Sequence, residues 1–235
     1  MVLALAWLVS LGVPAYAGWQ VWHGLSLERA VADTTRMDAA ALDAAMRESP
    51  WRTNRFFIGA IVQNKFASAA LLDYLASLPQ KLPDTDLFEP LGSLWDVKLD
   101  NRKGFSAMRL VVRNPNVGAM TLARLADGPR SDAAISDILA NPKTPLTVLQ
   151  RYFDSTDVLI EWGLALNPNL PVAVMERLSE SKYLYTRFNL TYNAATPRVI
   201  LEKLARDSDP TLATHAEQAI ERQVSRKQRA PEHSQ

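Results

Sequence analysis

Asn141-Pro142-Lys143-Thr144-Pro145-Leu146-Thr147-Val148-Leu149 returns 26 residues later as Asn167-Pro168-Asn169-Leu170-Pro171-Val172-Ala173-Val174-Met175. Both stretches run Asn-Pro, then a second Pro, then an aliphatic pair. Proline disfavours the α region at the residue before it, so any helix reaching these Asn residues must stop there. A second Pro four residues after the Asn suits the first turn of a new helix. Thr144, and Thr196 before Pro197, are expected as N-caps of those helices. The Asn side chain can bond the backbone of its own turn. Repeated at each level, it would tie successive turns together.

The same frame extends in both directions. Asn64, Asn114, Asn141, Asn167 and Asn193 serve as anchors, the last four spaced 27, 26 and 26 residues apart. The first gap is 50 residues, close to two periods, so one degenerate or interrupted repeat is expected between Lys65 and Arg113. Three residues before the anchors stand Ile61, Val111, Ile138, Leu164 and Leu190. Eight after them stand Leu72, Leu122, Leu149, Met175 and Leu201, and eleven after, Leu75, Leu125, Tyr152, Leu178 and Leu204. Side chains at offsets of 7 or 8 and then 11 lie on one face of a helix, one turn apart. Each anchor therefore separates an apolar helix from a short amphipathic one. Such internal periodicity marks a repeat architecture.

The Asn-Pro units with their following aliphatic pairs resemble leucine-rich repeat variants, a family of HEAT-like helical repeats. The resemblance implies an all-α, right-handed superhelical solenoid of alternating α- and 3-10 helices. It covers Met108 to Asp209 well and Arg52 to Ser77 more loosely. Some members carry an iron–sulfur cluster on a Cys-rich module; this chain has no Cys, so that feature does not carry over. The fold attached to this family brings almost no activity with it.

Around the repeats, residues 18–50 read as an N-terminal helical cap and 51–78 as a degenerate first repeat. Residues 79–101 read as a loop-rich insertion, with Pro79, Pro83 and Pro90 beside Leu87, Phe88, Leu91, Leu94 and Trp95. The regular array is expected over 102–221, and a basic, disordered tail over 222–235. The first charged side chain is Glu28. Val2 to Trp22 is uncharged and mostly apolar, and Ala15-Tyr16-Ala17 resembles a cleavage site, so 1–17 reads as a signal peptide. The n-region departs from that pattern in lacking Lys and Arg. Residues 2–22 are also long enough for a membrane anchor, with Trp19 and Trp22 at the interface. A buried N-terminal helix of a cytosolic protein is the third reading. Export or attachment at the cell envelope is the expectation.

Composition excludes more than it suggests. A net charge of +1 creates no global field for nucleic acid or an acidic substrate. Zero Cys removes disulfides, thiol catalysis and zinc ribbons. His23, His215 and His233 share no ligand spacing, and no phosphate loop, nucleophile elbow or His-Glu-x-x-His motif occurs. Asp207 and Asp209 sit at a turn, where Asp209 before Pro210 reads as an N-cap. No catalytic residue, metal or cofactor is expected.

The expected function is therefore a non-enzymatic scaffold for a protein or peptide. The expected contact is Tyr183, Tyr185 and Arg187. Tyr and Arg dominate interface hot spots. Arg187 also stands six residues before its anchor, where other repeats have Ile58, Met108, Ile135 and Glu161. The alternative is that Leu184, Phe188 and Leu190 fill the core while the tyrosines cover neighbouring repeats, and that Arg187 pairs with an acid on the next repeat, Glu161 or Asp157. The alternative function is a cytosolic HEAT-like nucleic-acid-binding protein or DNA-repair-type enzyme using Trp51, Arg52, Arg55, Trp162 and Arg187. The basic tail is a further candidate for phosphate or anionic lipid.

Overall fold

A computed structural model describes residues 22, 24–78, 107–128 and 134–229. Among these residues every regular element is helical. Met1–Val117 and Gly118–Gln235 form two compact units. The first holds α1 (residues 24–34), α2 (Ala39–Glu48), α3 (Arg55–Gln63), α4 (Ala69–Ser77) and α5 (Ala107–Arg113). The second holds α6 (Ala119–Ala126), α7 (Ile135–Ala140), α8 (Leu146–Leu149), α9 (Val158–Leu166), α10 (Val172–Ser179), α11 (Leu184–Tyr192), α12 (Arg198–Leu204) and α13 (Pro210–Arg229).

Helices start and stop where local chemistry demands. Asp38, Asn54, Ser68 and Asp157 each cap a helix by accepting backbone N–H bonds from its first turn. Helices α3, α7, α9 and α11 end with Asn64, Asn141, Asn167 and Asn193 in extended conformation. The residues three before and eight after each anchor are buried without exception, Leu149 and Leu201 among them. Tyr152, the one aromatic at the +11 position, is half-buried in a 3-10 turn, Gln150–Tyr152, that continues α8.

The anchors form a ladder. Each Asn accepts, on Oδ1, the N–H of the residue two further on: Phe66, Asn116, Lys143, Asn169 and Ala195, at 2.8 to 3.0 Å. On Asn64, Asn114, Asn167 and Asn193 the Nδ2 donates to a preceding helix end or turn. Asn167 gives bonds to Leu139 O (2.7 Å) and Asn141 O (2.9 Å), and Asn193 to Ala165 O (2.9 Å) and Asn167 O (2.8 Å). One buried amide thus satisfies a carbonyl that the end of a helix leaves without a partner, Leu139 O or Ala165 O, and adds a second bond to the preceding anchor's carbonyl, which also accepts the N–H of Thr144 or Leu170. Asn116 and Asn169 add an outer rung, to Lys65 O and Ala67 O and to Pro142 O.

This ladder corrects the reading of the 50-residue gap. Asn114 donates directly to Val62 O and, at 3.2 Å, to Asn64 O. Those are the same two acceptor positions that a neighbouring repeat offers, so no rung intervenes between Asn64 and Asn114. The insertion at 79–101 lies outside the described residues, as do the signal or anchor segment through residue 21 and the Leu87 to Trp95 apolar cluster.

Both ends of the array carry disguised repeats. Asn64 donates to Thr34 O (2.6 Å). Taking Thr34 as an anchor puts buried Leu27, Val31 and Leu42 at the −7, −3 and +8 positions and Asp38 at the cap. At the other end Ala219 stands 26 residues after Asn193. With Ala there and Ile220 in place of Pro, nothing stops the helix. It runs on to Arg229, so residues 222–229, read from sequence as a disordered tail, are helical. From that extension Arg222 Nη2 donates to Thr191 O (3.1 Å) and Gln223 Nε2 to Thr196 O (2.8 Å), replacing the missing Asn rung.

Two further expectations need correction. Thr144 and Thr196 do not cap the following helices. Their hydroxyls turn back and donate to Ile138 O and Leu190 O, and the N-cap residues are Pro145 and Pro197. Second, the partners of the first helices are not 3-10 helices. α4, α6, α10 and α12 are α-helical at seven to nine residues each, long enough to close i→i−4 bonds. A 3-10 segment continues α8 at Gln150–Tyr152.

Candidate functional site

In the last two repeats the position six before the anchor meets the position fourteen after it. In the earlier repeats the position six before the anchor holds buried Ile58, Met108 and Ile135. The last two repeats hold polar pairs there instead of an aliphatic residue, each 20 residues apart. Glu161 is buried and accepts from the Ser181 hydroxyl, from Arg177 Nη1 (3.1 Å) and from Thr186 Oγ1 (3.4 Å). Arg187 forms a fork with Asp207, Nε to Oδ2 at 2.8 Å and Nη2 to Oδ1 at 3.2 Å, and gives Nη1 to Ser181 O at 2.6 Å.

The expected exposed Tyr–Arg contact is therefore divided. Tyr185 is 75% exposed, while the Arg187 side chain is only 16% exposed and engaged by Asp207, an acid that sequence reasoning did not choose. Burial by itself would raise the Asp207 carboxyl. The Arg187 guanidinium, the Asp209 N–H and Ser208 outweigh it and hold that carboxyl below its ordinary value. A depressed carboxyl stabilises the fold above its unfolded-state pKa, and that stability is lost as pH falls through the lower folded-state value. Asp209 accepts the Leu212 N–H at the start of α13 (2.9 Å), a capping role. Arg187→Ala is expected to cost about 2 kcal/mol in urea unfolding, since Asp207 keeps its burial and loses its cation. Tyr185→Ala is expected to stay within about 0.5 kcal/mol of wild type. Equal losses at the two positions would contradict this division of roles.

The surface lies on the other side of the same helices. Positions 8, 5 and 1 before the anchor fall on one helical face. On α9 they are Leu159, Trp162 and Leu166, and on α11 Tyr185, Phe188 and Tyr192. Leu159, Trp162, Tyr185 and Tyr192 are exposed. The two helices are adjacent, and Asn189 Nδ2 donates to Trp162 O (3.2 Å) between them. His215 of α13 closes one side. Its ring stands edge-on to Phe188 (5.2 Å) and Tyr192 (5.6 Å), with the Tyr192 hydroxyl 3.2 Å from Nδ1. The same positions on α7 and α13 hold Ser136, Ala140, Thr211, Thr214 and Gln218. The row is thus free of charge across all four helices. Sequence reading missed it because the α9 segment Val158-Leu159-Ile160-Glu161-Trp162 is apolar on both its buried and its exposed side, with Glu161 the one charge and that one buried, which hides the exposed face. Applying the anchor register to positions −8, −5 and −1 is the signal that finds it.

The remaining candidates divide between the two units. Tyr183 is half-buried beneath the Lys182 ammonium, 4.9 Å from its ring centre. Of the five residues considered for nucleic acid, Trp51, Arg52 and Arg55 belong to the first unit and Trp162 and Arg187 to the second. Among the described residues, no group of three His, Asp or Glu side chains is placed to hold a metal ion. No described helix is long and apolar enough to cross a membrane. No protein-family model matches the chain, and no curated protein or solved structure matches it either.

Proposed function

We propose that the chain is a non-enzymatic scaffold that binds a protein or peptide through the exposed row on α9 and α11. One observation carries this reading: two adjacent helices present Leu159, Trp162, Tyr185 and Tyr192 to solvent on a face without charge. Contiguous exposed apolar surface of this kind marks interaction sites. Trp and Tyr supply large contact area with few rotatable bonds to order. In this reading the helix pairs wind as a right-handed solenoid of the leucine-rich repeat variant type. Stacked repeats of that kind display extended binding surfaces. The ladder of Asn side chains supports it, since each rung fixes one repeat on the next. The uncharged run from Val2 to Trp22, with Ala15-Tyr16-Ala17, supports export or attachment at the cell envelope in this reading.

The test is site-specific photo-crosslinking in the native host. A photoreactive side chain at Tyr185 is expected to trap a discrete partner. The same group at exposed Glu202 on α12, off the row, is expected to trap none. Equal trapping at both positions, or none at Tyr185, overturns the reading.

A further inference from the structure

We propose that the occupant of this row is a neutral, proline-rich segment of a partner protein in polyproline II conformation, laid across α9 and α11. The inference rests on the reading of this face as a binding surface and names what it recognises.

Charge gives the first argument. The −8, −5 and −1 positions of α7, α9, α11 and α13 hold no Asp, Glu, Lys or Arg among the residues described. An acidic or basic ligand finds no complement there, and a neutral one meets no unpaired charge. A bilayer surface is disfavoured on the same ground, because interfacial binding draws on Lys and Arg around the apolar face.

Hydrogen bonding gives the second. The Trp162 indole N–H is a donor only, and the Tyr185 hydroxyl is free to donate. Neither side chain has a hydrogen-bond partner among the described residues. A proline-rich backbone has the opposite deficit: carbonyl acceptors, with the N–H groups replaced by ring carbons. The donors of the face match the acceptors of such a chain and leave few peptide N–H groups to be stranded against apolar side chains.

Repeat spacing gives the third. Packed helices lie about 8–10 Å apart. A polyproline II helix advances about 9 Å per turn of three residues. Leu159 and Tyr185, and likewise Trp162 and Phe188, are equivalent positions 26 residues apart on neighbouring helices. A polyproline II segment crossing these helices therefore sets residues i and i+3 over equivalent side chains of successive repeats. An amphipathic helix advances about 5.4 Å per turn and loses this match after one step. The polyproline II chain is ordered before binding, so little entropy is lost on docking.

The experiment uses the full chain and a fluorescent, uncharged peptide of about nine residues with proline at two of every three positions. Its anisotropy is expected to rise on titration. Trp162→Ala and Tyr185→Ala are each expected to weaken binding about tenfold. Tyr185→Phe should show a smaller loss, because it keeps the ring and removes the hydroxyl. Melting temperatures confirm that the variants fold, and Glu202→Ala should bind as wild type does. Three results overturn the proposal: no anisotropy change up to about 1 mM protein, equal binding by a peptide with every proline replaced by Ala or Ser, or binding untouched by the Trp162 and Tyr185 variants. Sedimentation with phosphatidylcholine–phosphatidylglycerol vesicles in place of peptide binding would assign the row to a lipid surface and likewise overturn it. If photo-crosslinking at Tyr185 traps a protein while the peptide fails, the ligand class falls and the binding surface stands.

Discussion

Asn167→Asp is expected to destabilise the second unit by about 3–5 kcal/mol at neutral pH. Asn167 is completely buried. Its Nδ2 lies 2.7 Å from Leu139 O and 2.9 Å from Asn141 O, and its Oδ1 receives the Asn169 N–H at 2.9 Å. Asp has nearly the same shape, so packing changes little. An oxygen then takes the place of the nitrogen and faces two carbonyl oxygens. Asn167→Ala only deletes the bonds and is expected to cost less, about 1–3 kcal/mol, the penalty for stranding buried carbonyls. The Asp variant has an escape that Ala lacks. Once protonated, its carboxyl holds one O–H and restores one of the two bonds. The native state therefore raises the pKa of that carboxyl above its unfolded value. A raised acid binds more protons in the native state, so stability falls as pH rises past the unfolded value of about 4. Urea unfolding of the wild type, Ala and Asp chains near pH 4 and pH 7 reads both effects. An Asp variant no worse than Ala at neutral pH would show that the donor role of Asn167 is misassigned.

The repeat was legible because its punctuation is chemical. Pro after Asn stops a helix wherever it occurs, and the aliphatic residues at −3 and +8 report the buried faces. The rungs at the two ends were hidden, because there other residues satisfy the same backbone groups. Thr34 presents the acceptor that the Asn64 rung needs, and a carbonyl belongs to every residue type, so nothing in the sequence marks it. At Ala219 the anchor is lost and Arg222 and Gln223 reach the orphaned carbonyls from a different backbone position. The 50-residue gap misled because length alone does not say whether residues add a repeat or bulge out of one. For the surface, the pattern break at Arg187 was visible but its meaning was not. A lone charge in an apolar column is either exposed or paired, and the pair partner, Asp207, lies 20 residues away, beyond a second helix. The exposed row itself was masked because α9 is apolar on its exposed as well as its buried side, and its one charge, Glu161, points inward.

Gly163→Val is expected to be as damaging as the Asp substitution, by a different route. α9 crosses α7 so closely that a Cβ at Gly163 would lie 2.4 Å from Ser136 O and 2.8 Å from Ser136 Cα, with Leu139 Cβ at 3.0 Å. Two of these three contacts are backbone atoms, which cannot rotate aside as a side-chain end can. The helices would have to move apart. Movement there is opposed by the Asn167 rung, four residues on, whose two bonds hold the end of α9 against the turn that follows α7. The variant is therefore left either with overlap at Ser136 or with lengthened bonds at Leu139 and Asn141. A cost of about 3 kcal/mol or more follows, the upper end of what overpacking usually brings. Gly163→Ala meets the same Cβ clash without the extra methyl groups, so most of the loss should already appear there. This separates close helix approach from simple crowding: crowding would grow steadily from Ala to Val, whereas a backbone clash is nearly complete at Ala. Urea unfolding of both variants gives the comparison. A Gly163→Ala chain as stable as wild type would show that α9 and α7 stand farther apart than this contact requires, because Ala is otherwise the better helix former by about 1 kcal/mol.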